Sequence, residues 1–420
     1  MAAAGCGGDD EPTPTPASPT PVATAPPGTA GPGVTETEIH LGMTNDVAGA
    51  GETPYAAVSL ALNAYFQKVN QEDGGVCRRQ IVLTVEDDEY RADLALARTQ
   101  KLVTEDEVLA VIGALGTQAH RDVAAFLNDP DGDGDPADGI PDLFLSTGWS
   151  GWRHARYPWT TSFIPEYLSD GRVLADYIVA NLEGRRVGLL YSDDEFGKDY
   201  RSAMEGAFAE EEGLLFTQPY PVDDVDLSQE TNAVVDSGAE VIVLASAPAA
   251  SADAIASARG GGFEGQFLLS YVNQPSNLAS ELGGGSEAAA IIAGFQELEG
   301  ILTTAYLLSA VEDEANPAVV EHTRIMETYG GPPSSSLSIY SQALAETVVE
   351  TLARACPDLT RADVMAAAES LDGFHPSLLL PGIDVRLGEN DHAAIQAMQV
   401  VRINADGTLE SLGDPIDVGR

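Results

Sequence analysis

From Glu38 onward the chain alternates between two periods, and that alternation limits what it can fold into. Ile39-His-Leu-Gly-Met-Thr44 reads as a strand. Val58, Leu62, Tyr65, Phe66 and Val69 then fall at i, i+4, i+7, i+8 and i+11, one apolar face of a helix that Asp73-Gly-Gly75 stops. Ile81 to Val85 predicts a buried strand by its β-branched content, Ala92 to Val103 a helix and Val108 to Ile112 a strand. His120 to Leu127 follows as helix and Asp142 to Leu145 as strand. Strands separated by helices with short links must run parallel, because the helix carries the chain back to the start of the next strand. The expectation is a parallel sheet with helices on both faces.

The pattern restarts further on. Leu168 to Leu182 is helical, Arg186 to Tyr191 a strand, and Asp199 to Glu212 a helix. Glu240 to Leu244 is a strand, Ser251 to Arg259 a helix, and Gln266 to Leu269 a strand. Helices are then expected near Ala318–Tyr329, Tyr340–Ala355 and Arg361–Ser370. Strands near Gly382–Val385 and Met398–Ile403 end the chain. The fold class is α/β, with two doubly wound parallel-sheet units; about 385 residues suit two domains of ordinary size.

Ahead of this lies a different kind of sequence. Cys6 follows Ala4-Gly5, the small-small-Cys core of a bacterial lipoprotein processing site, and a Pro/Thr/Ala-rich stretch runs from there to about Gly33. Such a stretch is extended and builds no core. Together they predict lipidation at Cys6 and an extracytoplasmic domain leashed to a membrane by its lipid alone. The plainer alternative is a stray Cys in a disordered tail. No run of 18 apolar residues is present. The formal charge of −45 excludes nucleic acid as a partner, since phosphate binding needs Lys and Arg. With Cys6 lipidated, Cys77 and Cys356 remain, either as a disulfide or as two buried thiols.

An ordered series of segments carries a family resemblance: Val76-Cys-Arg-Arg-Gln-Ile81, Val85-Glu-Asp-Asp88, Val111-Ile-Gly-Ala-Leu-Gly116, Leu190-Tyr-Ser-Asp-Asp-Glu-Phe-Gly197, Leu359-Thr-Arg-Ala-Asp-Val364 and Gln396-Ala-Met-Gln-Val400. From about Glu38 to Gly413 the chain resembles the type I periplasmic binding proteins of the leucine/isoleucine/valine type, the solute receptors of ABC importers. The resemblance implies two lobes joined by three crossover strands, near Ser162–Pro165, Leu302–Tyr306 and Ser377–Pro381. Residues 36–164 plus 303–378 would form lobe 1, and 165–302 plus 379–420 lobe 2, after a tether over 1–35. It also implies a monomer that closes on a small molecule and docks on an ABC permease.

Ligands of open α/β sheets sit beyond the carboxyl ends of the strands. That places Asp46–Gly51, Leu115–His120 and Ser146–Trp152 on one side and Ser246–Ala250 and Ser270–Gln274 on the other. The resemblance puts a carboxylate-binding hydroxyl at Thr117, beside Gln118, and a backbone and hydroxyl contact at Gly148 and Ser150. The family's lobe-2 Tyr falls near Ser246 or Ala247 and its ammonium-pairing Glu near Tyr271. An unpaired ammonium in a closed cleft costs several kcal/mol, so ordinary branched-chain amino acids are not expected. All three Trp lie in one stretch, Trp149, Trp152 and Trp159. Either an aromatic or quaternary-ammonium ligand packs on Trp149, or the three pack the hinge. The ligand class is accordingly amino-acid-like, amide, aromatic or cationic.

One acidic stretch, Asn128 to Asp142, departs from the family. Asp129, Asp131 and Asp133 followed by Gly134 match positions 1, 3, 5 and 6 of a calcium loop, with Asp135, Asp138 and Asp142 as further ligands. The alternatives are a structural Ca²⁺ and a solvated acidic loop; no other cofactor is expected. The Gly-x-Ser-x-Gly, HExxH and Gly-x-x-x-x-Gly-Lys patterns are missing and the six His are scattered, so no enzyme is expected. The expected function is a solute-binding receptor of an ABC importer. The rivals are a sensory ectodomain of the same fold and a surface interaction module.

Overall fold

A computed structural model of the chain describes residues 1, 30–47, 55–152, 155–210, 213–222, 226–285, 287–311 and 313–418. Cys6 lies outside the described residues, and with it the lipidation reading. The first sheet contains β1 (Glu38–Asn45), β2 (Gln80–Asp87), β3 (Ala110–Ile112), β4 (Asp142–Leu145) and β5 (Thr160–Ser162) in the order β2-β1-β3-β4-β5, all parallel. Helices α1 (Ala56–Lys68), α2 (Ala92–Thr104) and α3 (Thr117–Asn128) make its crossovers.

The second sheet begins after α4 (Tyr167–Asn181). It holds β6 (Val187–Ser192), β7 (Leu215–Tyr220), β8 (Val241–Ala245), β9 (Gln266–Leu269) and β10 (Leu302–Ala305). These are connected by α5 (Glu195–Ala207), α6 (Ser228–Asp236), α7 (Pro248–Gly260), α8 (Pro275–Gly283) and α9 (Ala288–Leu298). From β10 the chain returns to the first lobe, where α10 (Pro317–Tyr329) and α11 (Ser336–Ala355) pack on α1, and α12 (Arg361–Glu369) on α11. A small ladder of β11 (Asp372–Phe374) and β12 (Val385–Arg386) follows. The chain crosses once more to β13 (Ala397–Ile403), antiparallel to β10, and then adds β14 (Leu409–Ser411) and β15 (Ile416–Asp417) against β13.

Alternation within single strands shows why the second sheet needs cover on both faces. Leu189, Val241 and Val243 join the apolar cluster between the lobes, whereas their neighbours Leu190, Ile242 and Leu244 join a separate cluster under α6, α7 and α8. Period-two side chains on a sheet buried on both sides give this partition. The inter-lobe cluster is continuous, running from Leu41 and Phe144 through Phe163, Tyr167 and Tyr271 to Val243.

Three expectations change. Ile81–Val85 lies in an edge strand that is mostly half-buried, because β-branched residues mark strands without marking their place in a sheet. Helix α5 opens at Glu195, where Asp194 caps it by accepting from the Gly197 N–H, earlier than its apolar spacing suggested. The chain does not end on β13, since the Asn404–Gly407 turn folds β14 back onto it.

Cys77 and Cys356 form a disulfide with Cα atoms 6.0 Å apart, tying the turn after α1 to the end of α11 across 279 residues of sequence. Closing so long a loop restricts the unfolded chain, so the double substitution Cys77→Ala/Cys356→Ala is expected to cost about 2–5 kcal/mol. Equilibrium denaturation of the oxidised protein and this variant checks it.

Candidate functional site between the lobes

The first lobe presents a small polar cradle at the carboxyl ends of β3 and β4. Gly116, at φ +94°, caps α3 without a side chain, and a Cβ there would sit 2.9 Å from the Tyr90 ring. The first N–H groups of α3 thus keep no side-chain cap, which is how helix N-termini become acceptor sites. Thr117 at the head of this helix is 2.5 Å, Oγ1 to Oγ1, from Thr147 in the next loop. Gly148 follows, and a Cβ on it would lie 2.3 Å from the Pro165 carbonyl and 2.7 Å from the Tyr271 hydroxyl. Only glycine lets the two lobes meet so closely here.

Tyr167 of α4 fills the cradle. Its backbone N–H donates to the Gly148 carbonyl at 2.7 Å, and its hydroxyl lies within hydrogen-bonding reach of the Gly148 backbone and of the Thr147 and Thr117 hydroxyls. Burial pushes the phenol up from its usual range, so the hydroxyl stays protonated. The ring packs on Phe196 at 4.7 Å and stacks near Tyr271 at 6.1 Å. Tyr90 stands at the rim, stacked on Tyr55 at 5.9 Å. The Asp194 carboxylate acts on Tyr90, Tyr167 and Tyr220 together, which places a negative charge among the cleft's phenols.

Beneath the tyrosines lies Asp170, fully buried. It accepts from the Thr304 hydroxyl of β10, the Tyr200 hydroxyl of α5 and the Tyr271 N–H at 3.3 Å. Burial raises its carboxyl to about 6, against the lowering effect of those three donors. Direct bonds close the lobes over this floor. The Ser150 N–H and hydroxyl both donate to Asp199 at 2.8 Å, Arg121 pairs with Glu195 at 2.5 Å, and the Tyr271 hydroxyl donates to the Pro165 carbonyl at 2.6 Å.

The sequence-predicted residues separate accordingly. Thr117 and Gly148 meet in the cradle, while Gln118 on the same turn is exposed. Ser150 is engaged by Asp199 across the cleft. One face of Trp149 is covered by the Arg121 guanidinium, 5.4 Å from the ring centroid, and Trp152 meets it edge-on at 5.0 Å. Trp152 and Tyr157 pack with Ala114, Ala124 and Leu145 inside the first lobe, and Trp159 lies in the core. Ser246 is buried and its hydroxyl is 2.6 Å from that of Ser251. Tyr271 belongs to the floor. Sequence reasoning passed over Tyr90, Thr147, Tyr167, Asp170 and Asp194. Thr147 adjoins the predicted Gly148, and Tyr167 follows the Pro165 crossing, but nothing local marked either as facing the cleft.

In the acidic loop, carboxylate oxygens of Asp129, Asp131 and Asp133 lie within 4.8 Å of one another and could share one cation. Asp135 instead caps the Ala137 N–H, and Asp138 is exposed nearby. Asp142 is turned inward, bonded to His120 at 2.8 Å and to Thr160 at 2.9 Å. It is a strand residue tying α3 to β5, apart from the three converging carboxylates.

A family model described as periplasmic binding protein matches residues 38–408. A possible leucine/isoleucine/valine-binding protein from Rhodopirellula baltica superposes with TM-score 0.73 at 20% identity, covering 90% of this chain and 96% of its own. A fatty acid ABC transporter substrate-binding protein from Thermomonospora curvata gives 0.74 at 21%, covering 93% and 95%. A branched chain amino acid ABC transporter from Thermus thermophilus, solved with bound valine, gives 0.75 at 17%, covering 91% and 97%. No curated protein matches.

Two outcomes are expected. Asp170 binds its proton more tightly when folded than unfolded, so its contribution falls as pH rises from about 4 to about 6, by up to about 3 kcal/mol. Asp170→Asn should flatten stability over that window, as urea titrations at stepped pH would record. Calcium added to chelated protein is expected to raise Tm, with the gain lost in Asp129→Asn/Asp131→Asn/Asp133→Asn. An unchanged Tm leaves the loop a solvated acidic surface.

Proposed function

The chain belongs to the periplasmic binding protein family, and on that premise we propose that it is a lipid-anchored extracytoplasmic receptor that closes two lobes on a small molecule and delivers it to an ABC importer permease. One observation carries the proposal. The Thr117–Thr147–Gly148 cradle, at the carboxyl ends of two parallel strands, is filled by a hydroxyl from the opposite lobe. A ligand acceptor group, carboxylate or amide, takes the place of the Tyr167 hydroxyl there. Such a group gains the same donors and the uncapped first turn of α3.

The rest of the cleft favours a particular body for that ligand. The stacked Tyr55 and Tyr90 rings offer apolar faces, and Asp194 supplies negative charge. An aromatic or cationic body suits both. Arg121 engages one face of the Trp149 ring, so a ligand packing on that face has to compete with it. The relatives' amino-acid and fatty-acid ligands belong to those relatives; here the family's Glu is missing at Tyr271, and Asp194 supplies negative charge beside Tyr90 and Tyr167.

Binding to the closed form stabilises it by about 2.7 kcal/mol at a hundredfold excess over Kd. A thermal-shift panel of amino acids, aromatic acids, amides, polyamines and betaine-like cations on refolded protein tests the proposal. At least one hit is expected. Thr117→Val should weaken it about tenfold by removing one hydrogen bond, and Tyr167→Phe should tighten it by removing the competing hydroxyl. No hit across the panel, or a hit indifferent to both substitutions, overturns it.

A further inference from the structure

A second cavity, of about 380 Å³, opens on the other side of β10, and no residue of the Thr117–Tyr167 cradle lines it. One wall comes from the second lobe, with Ile291 and Phe295 of α9 and Leu409 of β14. The other comes from Leu308–Val311, where the chain leaves β10, and from Ser334–Ser336 at the start of α11. Gly407 fixes the Phe295 ring in that wall, since at φ +85° a Cβ would lie 2.9 Å from it. At this junction the Ser276 and Ser336 hydroxyls meet at 3.2 Å, linking the lobes.

Two properties define what would fit. Among the described residues, none of the 21 that line it is charged, in a chain where 21% of residues are, so the surroundings suit a neutral molecule. Polar side chains lie on both walls, Gln274, Ser276 and Asn277 on one and Ser309 and Ser334–Ser336 on the other, and one of them stands out. Ser334 Oγ is buried without a hydrogen-bond partner, and the 20-residue helix α11 starts beside it, its Ser335 cap satisfying the Ser338 N–H. A hydroxyl able to donate, next to the first turn of a long helix, calls for an acceptor. Val311 at 46% exposure and Ile292 at 58%, the latter next to the lining Ile291, add apolar surface close by.

We propose that this cavity is a second ligand site for a neutral, largely apolar molecule bearing one hydrogen-bond acceptor. Its acceptor meets Ser334–Ser336 and its body lies along Phe295, Ile291 and Leu308. The occupant touches the second lobe and the segments that return to the first, so it binds one hinge state better than the other. Its occupancy is therefore coupled to closure of the cleft, and reciprocally so.

Calorimetric titration of the whole protein with 2-octanone, and with octylammonium as charged counterpart, tests the site. Saturable 2-octanone binding is expected, at least tenfold tighter than octylammonium. Ala310→Phe and Ser276→Phe fill the cavity from opposite walls, and each should weaken 2-octanone at least tenfold. Thr117→Val, in the cleft, acts on this site only through closure and should change 2-octanone affinity less than either filling variant does. The proposal is overturned by the absence of saturable binding, by equal affinity for the two probes, or by a loss of binding in Thr117→Val as large as in the filling variants. Should a filling variant fail to fold, crystals of the wild-type protein soaked in 2-octanone decide. Density against Ser334 supports the site, and its absence there sinks it.

Discussion

A fully buried carboxylate, Asp170, sits where the lobes join, and several stretches of the junction are arranged to satisfy it. Asp170 lies on the first helix after the first crossing, Thr304 on the strand that begins the second, Tyr200 on α5 and Tyr271 after β9. Three separate stretches of chain thus converge on the carboxylate of a fourth. A carboxylate removed from water is tolerated only with such partners, and its raised proton affinity records what burial still costs. With Asp170 in place, Tyr200 and Tyr271 are oriented, and Tyr271 in turn donates to Pro165 at the first crossing.

The aromatic floor built on that carboxylate holds the two lobes in contact. Tyr167 presents its hydroxyl to donors that otherwise face solvent, and Gly148 lets the backbones approach. The Tyr167 hydroxyl thereby links the second lobe to the cradle of the first. On the function proposed, a ligand has to compete with Tyr167 for these donors, because only differential affinity moves a two-state equilibrium. The inter-lobe pairs Arg121–Glu195 and Ser150–Asp199 add to closure from the rim. The solvent-open Arg121–Glu195 ion pair contributes little, whereas the Ser150 bonds reach a carboxylate that is buried.

Much of the scaffold was legible because it rests on local periodicity. The strands β1, β3, β4, β6, β8 and β9 and the helices α1, α2, α4, α7 and α10 follow from apolar spacing and from Gly and Pro punctuation. β7, α6, α8 and α9 escaped, since Leu215–Tyr220 alternates weakly on a sheet edge and α6, α8 and α9 have only 9, 9 and 11 residues. The candidate site was half legible. Thr117 and Gly148 were found by resemblance to a series of segments, whereas Tyr167 and Asp170 look like ordinary members of a helix. Trp149 drew notice by residue type, and one face of its ring meets Arg121, a contact no local pattern marked.

The sequence by itself determined the α/β class, the parallel connections, the strongly acidic composition and the two cysteines available to pair. All of these follow from composition and short-range pattern. The tertiary structure decided that Cys77 and Cys356 are bonded, that Asp142 serves His120 and leaves the acidic loop to Asp129, Asp131 and Asp133, and that Tyr167 occupies the cradle. Each of those outcomes depends on groups tens to hundreds of positions apart meeting within a few ångströms. Local spacing fixes where a side chain points from its own helix or strand, and only the packing of the two lobes fixes what it meets.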